Sequence, residues 1–465
     1  MFKRFSLVLI SILILSSTIQ PVSAQASGPV YIVQAGDTLS YIAARFNVSV
    51  DELLAANPSV DPNALDVGQQ LVIPGLDGVS GVLETEVISF GDTFRSLSRR
   101  TQVSDELLKK LNHMVSPSEL YVGVSLIVPM QEQQEPLKTR ITASTGETLL
   151  ELAVKQGTDP WTLASVNKIS GTWDTLPGDI LYSPTGNSEG NATGLPSAFL
   201  SASIEPLPLV QGSTEVIRVR TQEGATVSGM LVDMPLHFFS NNGEQVALQG
   251  ISAFPLEPGA YPLSIEATFP DGSKQSFAQM ILVNSGNYGS EEIPLNDPSF
   301  IDPAITEPEL KNIIALTTPA TPTRYWTGIF ASPATDPNCF TSRYGTRRAY
   351  KVINTDLEIP GFHSGLDFCG GEGLQIFAPA PGKVVFAAPL TVRGNATIID
   401  HGWGVYSGFW HQSQIMVNVG DTVEQGQVVG LVGGTGRVTG AHLHWDLWVN
   451  GIQVNPLNWL DQAYP

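Results

Sequence analysis

The sequence is poor in cysteine, in basic residues and in long apolar runs. Its 465 residues hold two cysteines and 24 lysines and arginines, against 44 aspartates and glutamates, for a formal charge of −20. Nucleic-acid binding needs a basic surface that displaces counterions, so that class of partner is excluded. Net charge would not draw in any other anionic polymer either, so such a partner would have to be held by hydrogen bonds and apolar contacts. Beyond Ile19 no apolar run is long enough to span a bilayer. A chain of this length exceeds one hydrophobic core, so several domains are expected.

The one apolar run lies at the start. Met1-Phe2-Lys3-Arg4 is a basic lead, Phe5 to Ile19 is apolar apart from serines and a threonine, and Val22-Ser23-Ala24 offers small residues for cleavage. Residues 1–24 therefore read as a secretory signal, with a retained membrane anchor as the plainer alternative. No cysteine follows the expected cut, which argues against a lipid anchor. The mature chain is expected to be secreted and without a stable membrane span.

What the sequence does have is repetition. Gly36-Asp37-Thr38-Leu39 returns as Gly91-Asp92-Thr93-Phe94 and as Gly146-Glu147-Thr148-Leu149, with a period of 55 residues. Three further columns keep step: Asn57, Asn112 and Asn167; Gly68, Gly123 and Gly178; Pro74, Pro129 and Pro184. Each copy reads as strand, helix, helix, strand. Val30 to Val33 opens the first copy, Asp37 or Thr38 caps a helix with Leu39, Ile42, Ala43 and Phe46 on one face, Val50 to Ala56 forms the second helix, and Leu71-Val72-Ile73 closes it.

In Gly-Asp-Thr-Leu, in the Leu53 to Asn57 spacing and in the closing Val-Gly-Gln-Gln-Leu-Val-Ile-Pro, the repeat resembles the LysM domain. Residues 29–75 match well, 84–130 follow, and 138–185 are degenerate, with Glu147 for Asp and Pro177 where the others carry valine. The resemblance implies small α+β (βααβ) modules that bind N-acetylglucosamine-containing glycan such as peptidoglycan. It places the binding surface of the first copy at Gly36, Asp37, Thr38 and Leu39 and at Asn63 to Leu65. The same loops also build the fold, and degenerate copies serve as spacers, so binding by the second and third copies stays open. Linked weak sites would gain by avidity.

Residues 186–203 read as a linker rich in Gly, Ser, Asn and Thr. From 204 to 285, short β-type runs alternate with turn signals such as Pro258-Gly259 and Asp271-Gly272, which predicts an antiparallel sandwich similar to immunoglobulin-like spacers. His237 here, and His113 in the second repeat, read as packed or surface residues. Residues 286–325, rich in proline and acids, read as extended connector with a short helix over Glu309 to Leu316.

From 326 to 463 the chain changes character. Five of its seven histidines fall here: His363, His401, His411, His442 and His444. His363 stands four residues before Asp367, and His442 two before His444. Histidine and aspartate suit zinc. The surroundings read as strands, on which residues an even number apart face one side. Both imidazoles of the His442 pair can then enter one groove, and His363 and Asp367 are expected to do likewise.

His363-x-x-x-Asp367, Pro381-Gly382-Lys383-Val384, and Gly433-Gly434-Thr435-Gly436 running into His442-Leu443-His444 resemble, in this order, the lysostaphin-type (LytM) zinc metallopeptidases over about residues 335–460. The resemblance implies a mainly antiparallel-β peptidase domain holding one Zn2+ per chain through His363, Asp367 and His444. Three protein ligands leave an open position for water, as in catalytic zinc sites. His442 matches the family's general base and His411 the second catalytic histidine, which steadies the oxyanion or the water. Two positions depart from the pattern: Phe409-Trp410-His411-Gln412 replaces Tyr-x-His-Leu, and Ala441 stands where proline is common. His401 also belongs to the family pattern, with its role divided between a direct part and loop structure.

Cys339 and Cys369 are expected to form one disulfide, as two cysteines in a secreted chain invite, pinning the loop beside Asp367. Nothing around Cys369 resembles a helix-opening catalytic cysteine. Gly434 to Gly440 lacks the strand–loop–helix context of a phosphate loop. Together these features predict a secreted, cell-wall associated peptidoglycan hydrolase, a zinc endopeptidase that cuts peptide cross-links. A non-catalytic wall-binding or regulatory protein and an exported protein-directed peptidase remain the alternatives.

Overall fold

A computed structural model describes residues 28–465 apart from 35, 63, 77, 117–118, 131–136, 138, 144–145, 172–173, 186–193, 296–300 and 439. The expected signal at 1–24, Asn63 and residues 186–193 of the expected linker lie outside the described residues. The chain forms two compact units, one up to Glu84 and one from Thr85 onward. Among the described residues no helix is long and apolar enough to cross a membrane.

The first unit holds the first repeat: strand Val30–Ile32, helices Leu39–Arg45 and Val50–Ala56, and strand Gln70–Val72 antiparallel to the first strand. Thr38 caps the first helix by accepting from the Tyr41 N–H. Ser49 and Glu52 close a capping box on the second. The recurring asparagine has a structural cause. Asn57 Nδ2 donates to the carbonyls of Leu53 (2.8 Å) and Val72 (2.7 Å), and its Oδ1 accepts from the Val72 N–H (2.8 Å), tying the second helix to the closing strand. Asn112 and Asn167 make the same three bonds in the other copies.

In the second unit the second repeat has helices Phe94–Thr101 and Asp105–Leu111 and closing strand Ser125–Pro129. The third pairs Thr139–Thr142 with Ile180–Ser183 around helices Leu149–Lys155 and Pro160–Val166. Two sheets follow. One orders Met234–Leu236, Thr226–Leu231, Gly259–Thr268, Lys274–Asn284 and Leu209–Val210; the other orders Phe239–Asn241, Glu244–Gly250, Thr214–Thr221 and Phe199–Glu205. Their facing sides share a core of Ile204, Ile217, Val219 and Ala247 against Leu231, Leu263, Ile265 and Ile281. The first strand starts at Phe199, inside the segment read as linker, because Phe199 itself is buried in that core.

The C-terminal domain is built on an antiparallel sheet ordered Phe340–Ser342, Leu366–Phe368, Leu443–Val449, Val405–Gln412, Gly394–Gly402, Gly382–Leu390 and Thr422–Val423, with Ile452–Val454 also paired to Leu443–Val449. Leu443, Trp445, Leu447 and Val449 alternate onto one face and join a core with Trp326, Phe330, Trp403 and Trp459. That core also takes in Val216, Val246 and Leu248 of the preceding two-sheet domain, so the two domains share one apolar interior.

Residues 286–325 differ from the extended connector expected of them. Ser290–Leu295 pairs in parallel with Arg347–Val352, which in turn pairs with Glu358–Phe362. A helix spans Pro303–Thr317, longer than the short one expected. Asp302 caps it and Pro303 occupies its first turn, where a missing N–H costs nothing. Its interior is fixed by tertiary contacts that composition does not reveal. Ile313 is buried against Ala396, Ile398, Trp410 and Trp448. The Glu309 carboxylate accepts from the N–H groups of Val392 (2.8 Å) and Arg393 (3.1 Å) and pairs with the Arg393 guanidinium.

Candidate metal centre

The central strand Leu443–Val449 carries His444, and register sets its neighbours: Asp367 lies opposite on one side and Trp410, beside His411, on the other. His442 precedes this strand with the same parity as His444. His363 arrives differently from expectation. It follows strand Glu358–Phe362, and Ser364 and Gly365 separate it from strand Leu366–Phe368. The His363–Asp367 pair is thus assembled across a turn between two strands, not along one. Gly365 is needed there, since a Cβ would come within 2.6 Å of both Asp446 Oδ1 and His444 Nε2.

His363 Nε2 lies 3.1 Å from Asp367 Oδ2 and 3.3 Å from His444 Nδ1, and His444 Nδ1 lies 2.7 Å from Asp367 Oδ1. All three residues are buried, and their donor atoms lie within 4.8 Å of one another. The histidines around this point are wired alike. Nδ1 of His363 meets the Arg343 carbonyl at 2.9 Å, Nδ1 of His411 the Thr435 carbonyl at 2.9 Å, and Nδ1 of His442 the Gly440 carbonyl at 2.9 Å. His444 is reversed, with Nε2 2.9 Å from Asp446 Oδ1. A carbonyl or carboxylate only accepts, so each of these nitrogens carries the hydrogen, and in the neutral ring the opposite nitrogen is a bare lone pair. Asp367 Oδ1 is buried and accepts no hydrogen bond in spite of its near neighbours. Two bare imidazole nitrogens and an orphaned carboxylate oxygen fit a divalent cation of the zinc class.

Charge gathers at the same point. Burial opposes ionisation of Asp367, but His444 and His363 hold its carboxyl far below the ordinary range. Burial likewise disfavours a charged His444, yet Asp446 and Asp367 on its two sides raise it to about 9, so its Nδ1 draws a proton towards Asp367 and a bound cation would take that proton's place. His411 goes the other way: burial, with His444 nearby, lowers it to about 3, so it is neutral. His411 holds a left-handed backbone (φ 62°), its N–H donating to the Arg393 carbonyl at 2.8 Å. Arg393 is the residue braced by Glu309. The His411 and His442 rings lie 5.4 Å apart.

These groups line a cavity of about 660 Å³, walled also by Tyr350, Phe362, Arg393, Arg437 and, from the former connector, Leu295 and Thr306. His401 is not among them. Its Nδ1 donates to the Pro381 carbonyl (2.8 Å) and its Nε2 accepts from Ser407 (2.9 Å), so both nitrogens are used inside the sheet, and burial lowers it to about 4. Cys339 and Cys369 form a disulfide beside the paired strands that carry Phe340 and Phe368. In the first repeat Gly36 and Thr38 are exposed, Asp37 accepts from Tyr31 (2.9 Å) and from the Gln34 N–H (2.7 Å), and Leu39 turns into the module's core.

Residues 361–456 match peptidase family M23, and residues 31–74, 87–129 and 141–184 each match the LysM domain. The chain carries three LysM domains and a C-terminal M23 peptidase domain. Among curated proteins, the peptidoglycan DD-endopeptidase ShyA of Vibrio cholerae serotype O1 is 40% identical over 116 residues, 25% of this chain and 26% of that protein. The DD-carboxypeptidase/endopeptidase Mpg of Neisseria meningitidis serogroup B is 38% identical over 96 residues, 21% of this chain and 22% of that protein. The chain thus spans about a quarter of the length of these relatives. Among solved structures, a putative peptidase M23 from Pseudomonas aeruginosa is 26% identical with a TM-score of 0.42, covering 55% of this chain and 96% of its own. The catalytic domain of lysostaphin from Staphylococcus simulans is 32% identical with a TM-score of 0.21, covering 22% and 80%.

Sequence reasoning missed Asp446 of the M23 domain, though it stands two residues beyond His444 on the same strand face. It is fully buried and takes four donors: His444 and Ser364 (3.0 Å) on Oδ1, Trp410 (2.9 Å) and Gln453 (3.0 Å) on Oδ2. Burial works against its charge, but His444 leads in holding it down at about 2. Its carboxylate fixes the tautomer and direction of His444, the usual task of the second partner of a metal-binding imidazole. Asp446→Asn should weaken zinc binding by roughly 10–100-fold, measured by competition with a chromogenic chelator, because the amide brings N–H groups against donors.

Proposed function

We propose that this protein is a secreted peptidoglycan hydrolase whose M23 domain is a zinc endopeptidase cutting peptide cross-links of the bacterial cell wall. Its LysM domains hold it on glycan, and the two-sheet domain is an immunoglobulin-like spacer. The observation that carries the reading is the convergence of His363 Nε2, Asp367 and His444 Nδ1, each histidine fixed with its lone pair inward. These three residues would hold one Zn2+ per chain. When bound, the ion supplies a Lewis acid for the scissile carbonyl and lowers the pKa of water towards about 7.

The remaining residues handle the substrate and the proton. His442, tethered through its Nδ1–H to Gly440, presents Nε2 to the cavity 3.6 Å from Asp367 Oδ1. It accepts the proton of the attacking water and returns it to the leaving amine. His411 offers only a lone pair at Nε2, since its Nδ1–H is committed to Thr435 and the ring is neutral. An acceptor orients water and does not donate to an oxyanion, so of the two roles open to His411 the wiring favours the first. Support for a peptidoglycan substrate comes from the relatives' printed activities and from the LysM domains.

The test is digestion of defined cross-linked muropeptides by the full chain, read by mass spectrometry. Cross-linked dimers should fall to monomers with zinc present and stay intact with chelator. Dimers left intact under both conditions would refute the assignment. Cleavage of casein with dimers untouched would point instead to a protein-directed peptidase.

A further inference from the structure

The three LysM copies share a sequence plan but not an environment. In the first, a Cβ added at Gly36 or Gly68 would meet nothing within 4 Å, and Val67 is 70% exposed. In the third, Gly146 and Gly178 face open space in the same way. In the second, the corresponding positions are covered by the two-sheet domain. Val122, the counterpart of Val67, is 2% exposed, pairs with Ile281 and donates its N–H to the Met280 carbonyl at 3.1 Å. A Cβ at Gly123 would lie 2.7 Å from Leu207 Cβ. Gly91, the counterpart of Gly36, donates its N–H to Gln279 Oε1 at 3.0 Å.

The rest of the loop is committed too. Phe90 edges onto Phe277 with centroids 5.8 Å apart and belongs to the sandwich core. The Asp92 side chain is fully buried between Arg100 (3.3 Å) and Arg140 (3.0 Å), the latter from the third copy. What stays open before Gly91, Asp92 and Thr93 is a cleft of about 410 Å³ whose far wall is Pro262 and Phe277 to Met280. A polymer strand has no path across a loop walled on its outer side.

The opposite side of the second copy is equally engaged. Arg99, 2% exposed, donates to the carbonyls of Asn167 (3.1 Å) and Ile180 (2.8 Å) in the third copy. Arg95 pairs with Asp174, in the loop before the third copy's closing strand. Burying apolar Phe90 and Val122 favours this arrangement, and a glycan would have to displace it to reach the loop.

We propose that the second LysM domain is a docking module, not a glycan receptor. Its recognition loops bind the two-sheet domain and its arginines bind the third copy, joining them as one body, and glycan recognition is left to the copies whose loop glycines face open space, the first foremost. This rests on the reading of LysM domains here as glycan binders.

Hydrogen–deuterium exchange on the full chain tests it, with and without a chitin tetrasaccharide. The sugar should slow exchange at 36–39 and 64–68 and leave 91–93 and 119–123 unchanged. Protection of 91–93 would overturn the proposal. Val122→Ser, measured without sugar, tests the docking separately. It should speed exchange by about tenfold or more in both 91–93 and strand Lys274–Asn284, since opening one exposes the other. Unchanged exchange in that strand would overturn the proposal. Should no segment be protected by sugar while Val122→Ser loosens both sides, the glycan reading of the first copy fails and the docking role stands.

Discussion

Asp367→Ala should strip the M23 domain of both its metal and its hydrolysis, whereas His442→Ala should remove hydrolysis alone. Asp367 lies between the inward nitrogens of His363 and His444, at 3.1 and 2.7 Å, and no other acid shares that point among the described residues. Its loss leaves two neutral nitrogens, a poor set for a divalent cation. His442 sits outside the buried triad, with its nearest approach to Asp367 at 3.6 Å and a partly exposed side chain. A general base contributes about 10²–10⁴ in rate, so His442→Ala should lower kcat by that factor with one zinc per chain retained. Atomic absorption on the purified variants, beside turbidity clearing of purified peptidoglycan, separates the two losses. Full clearing by Asp367→Ala would refute the metal assignment. Loss of zinc from His442→Ala would make that residue a ligand.

Much of this site was legible because its signals are local. His442 and His444 share parity around one strand, so their spacing alone aims both imidazoles at one groove. The asparagine column needed only the repeat to be noticed, and its three bonds explain why the column recurs. What escaped has two causes. The even His363–Asp367 spacing reads as one face of a single strand, but the chain bends at Gly365, and only the long-range pairing of Asp367 with His444 brings the histidine back. Asp446 carries no separate motif, although continuing the parity from His442 through His444 would have reached it. Glu309 and Ile313 were hidden more deeply. They sit in a proline- and acid-rich stretch, and their roles depend on partners 80 and more residues away, Arg393 and Ile398. Composition there reported solvation, while the fold uses two buried side chains to hold the helix beside the cavity.

The same shared interior makes a second large effect, this time on stability. Glu215, on strand Thr214–Thr221, is fully buried; Ser213 donates to Oε1, and Oε2 has no partner. Burial pushes its carboxyl up to about 8, against the Ser213 bond, which lowers it. Its neighbourhood is the joint between the two-sheet and M23 domains: Trp459 donates to the adjacent Thr214 at 3.0 Å, and Gln249, paired opposite Glu215, accepts from Asn450 at 2.6 Å. A folded value raised above the unfolded one means that the folded chain binds the proton more tightly. The stabilisation is therefore complete below about pH 4.5, fades as pH rises, and is gone above about 8. The difference corresponds to a loss on the order of 5 kcal/mol across that window. Glu215→Gln keeps the shape and the Ser213 acceptor but has no proton to lose. It should melt with the parent protein at pH 4.5 and about 5–10 °C above it at pH 8.5, a span set by the usual entropy of unfolding for a body of this size. Scanning calorimetry of both proteins at the two pH values decides it. Equal melting at pH 8.5 would mean that the buried carboxylate ionises without cost, through water reaching Oε2 at the domain joint.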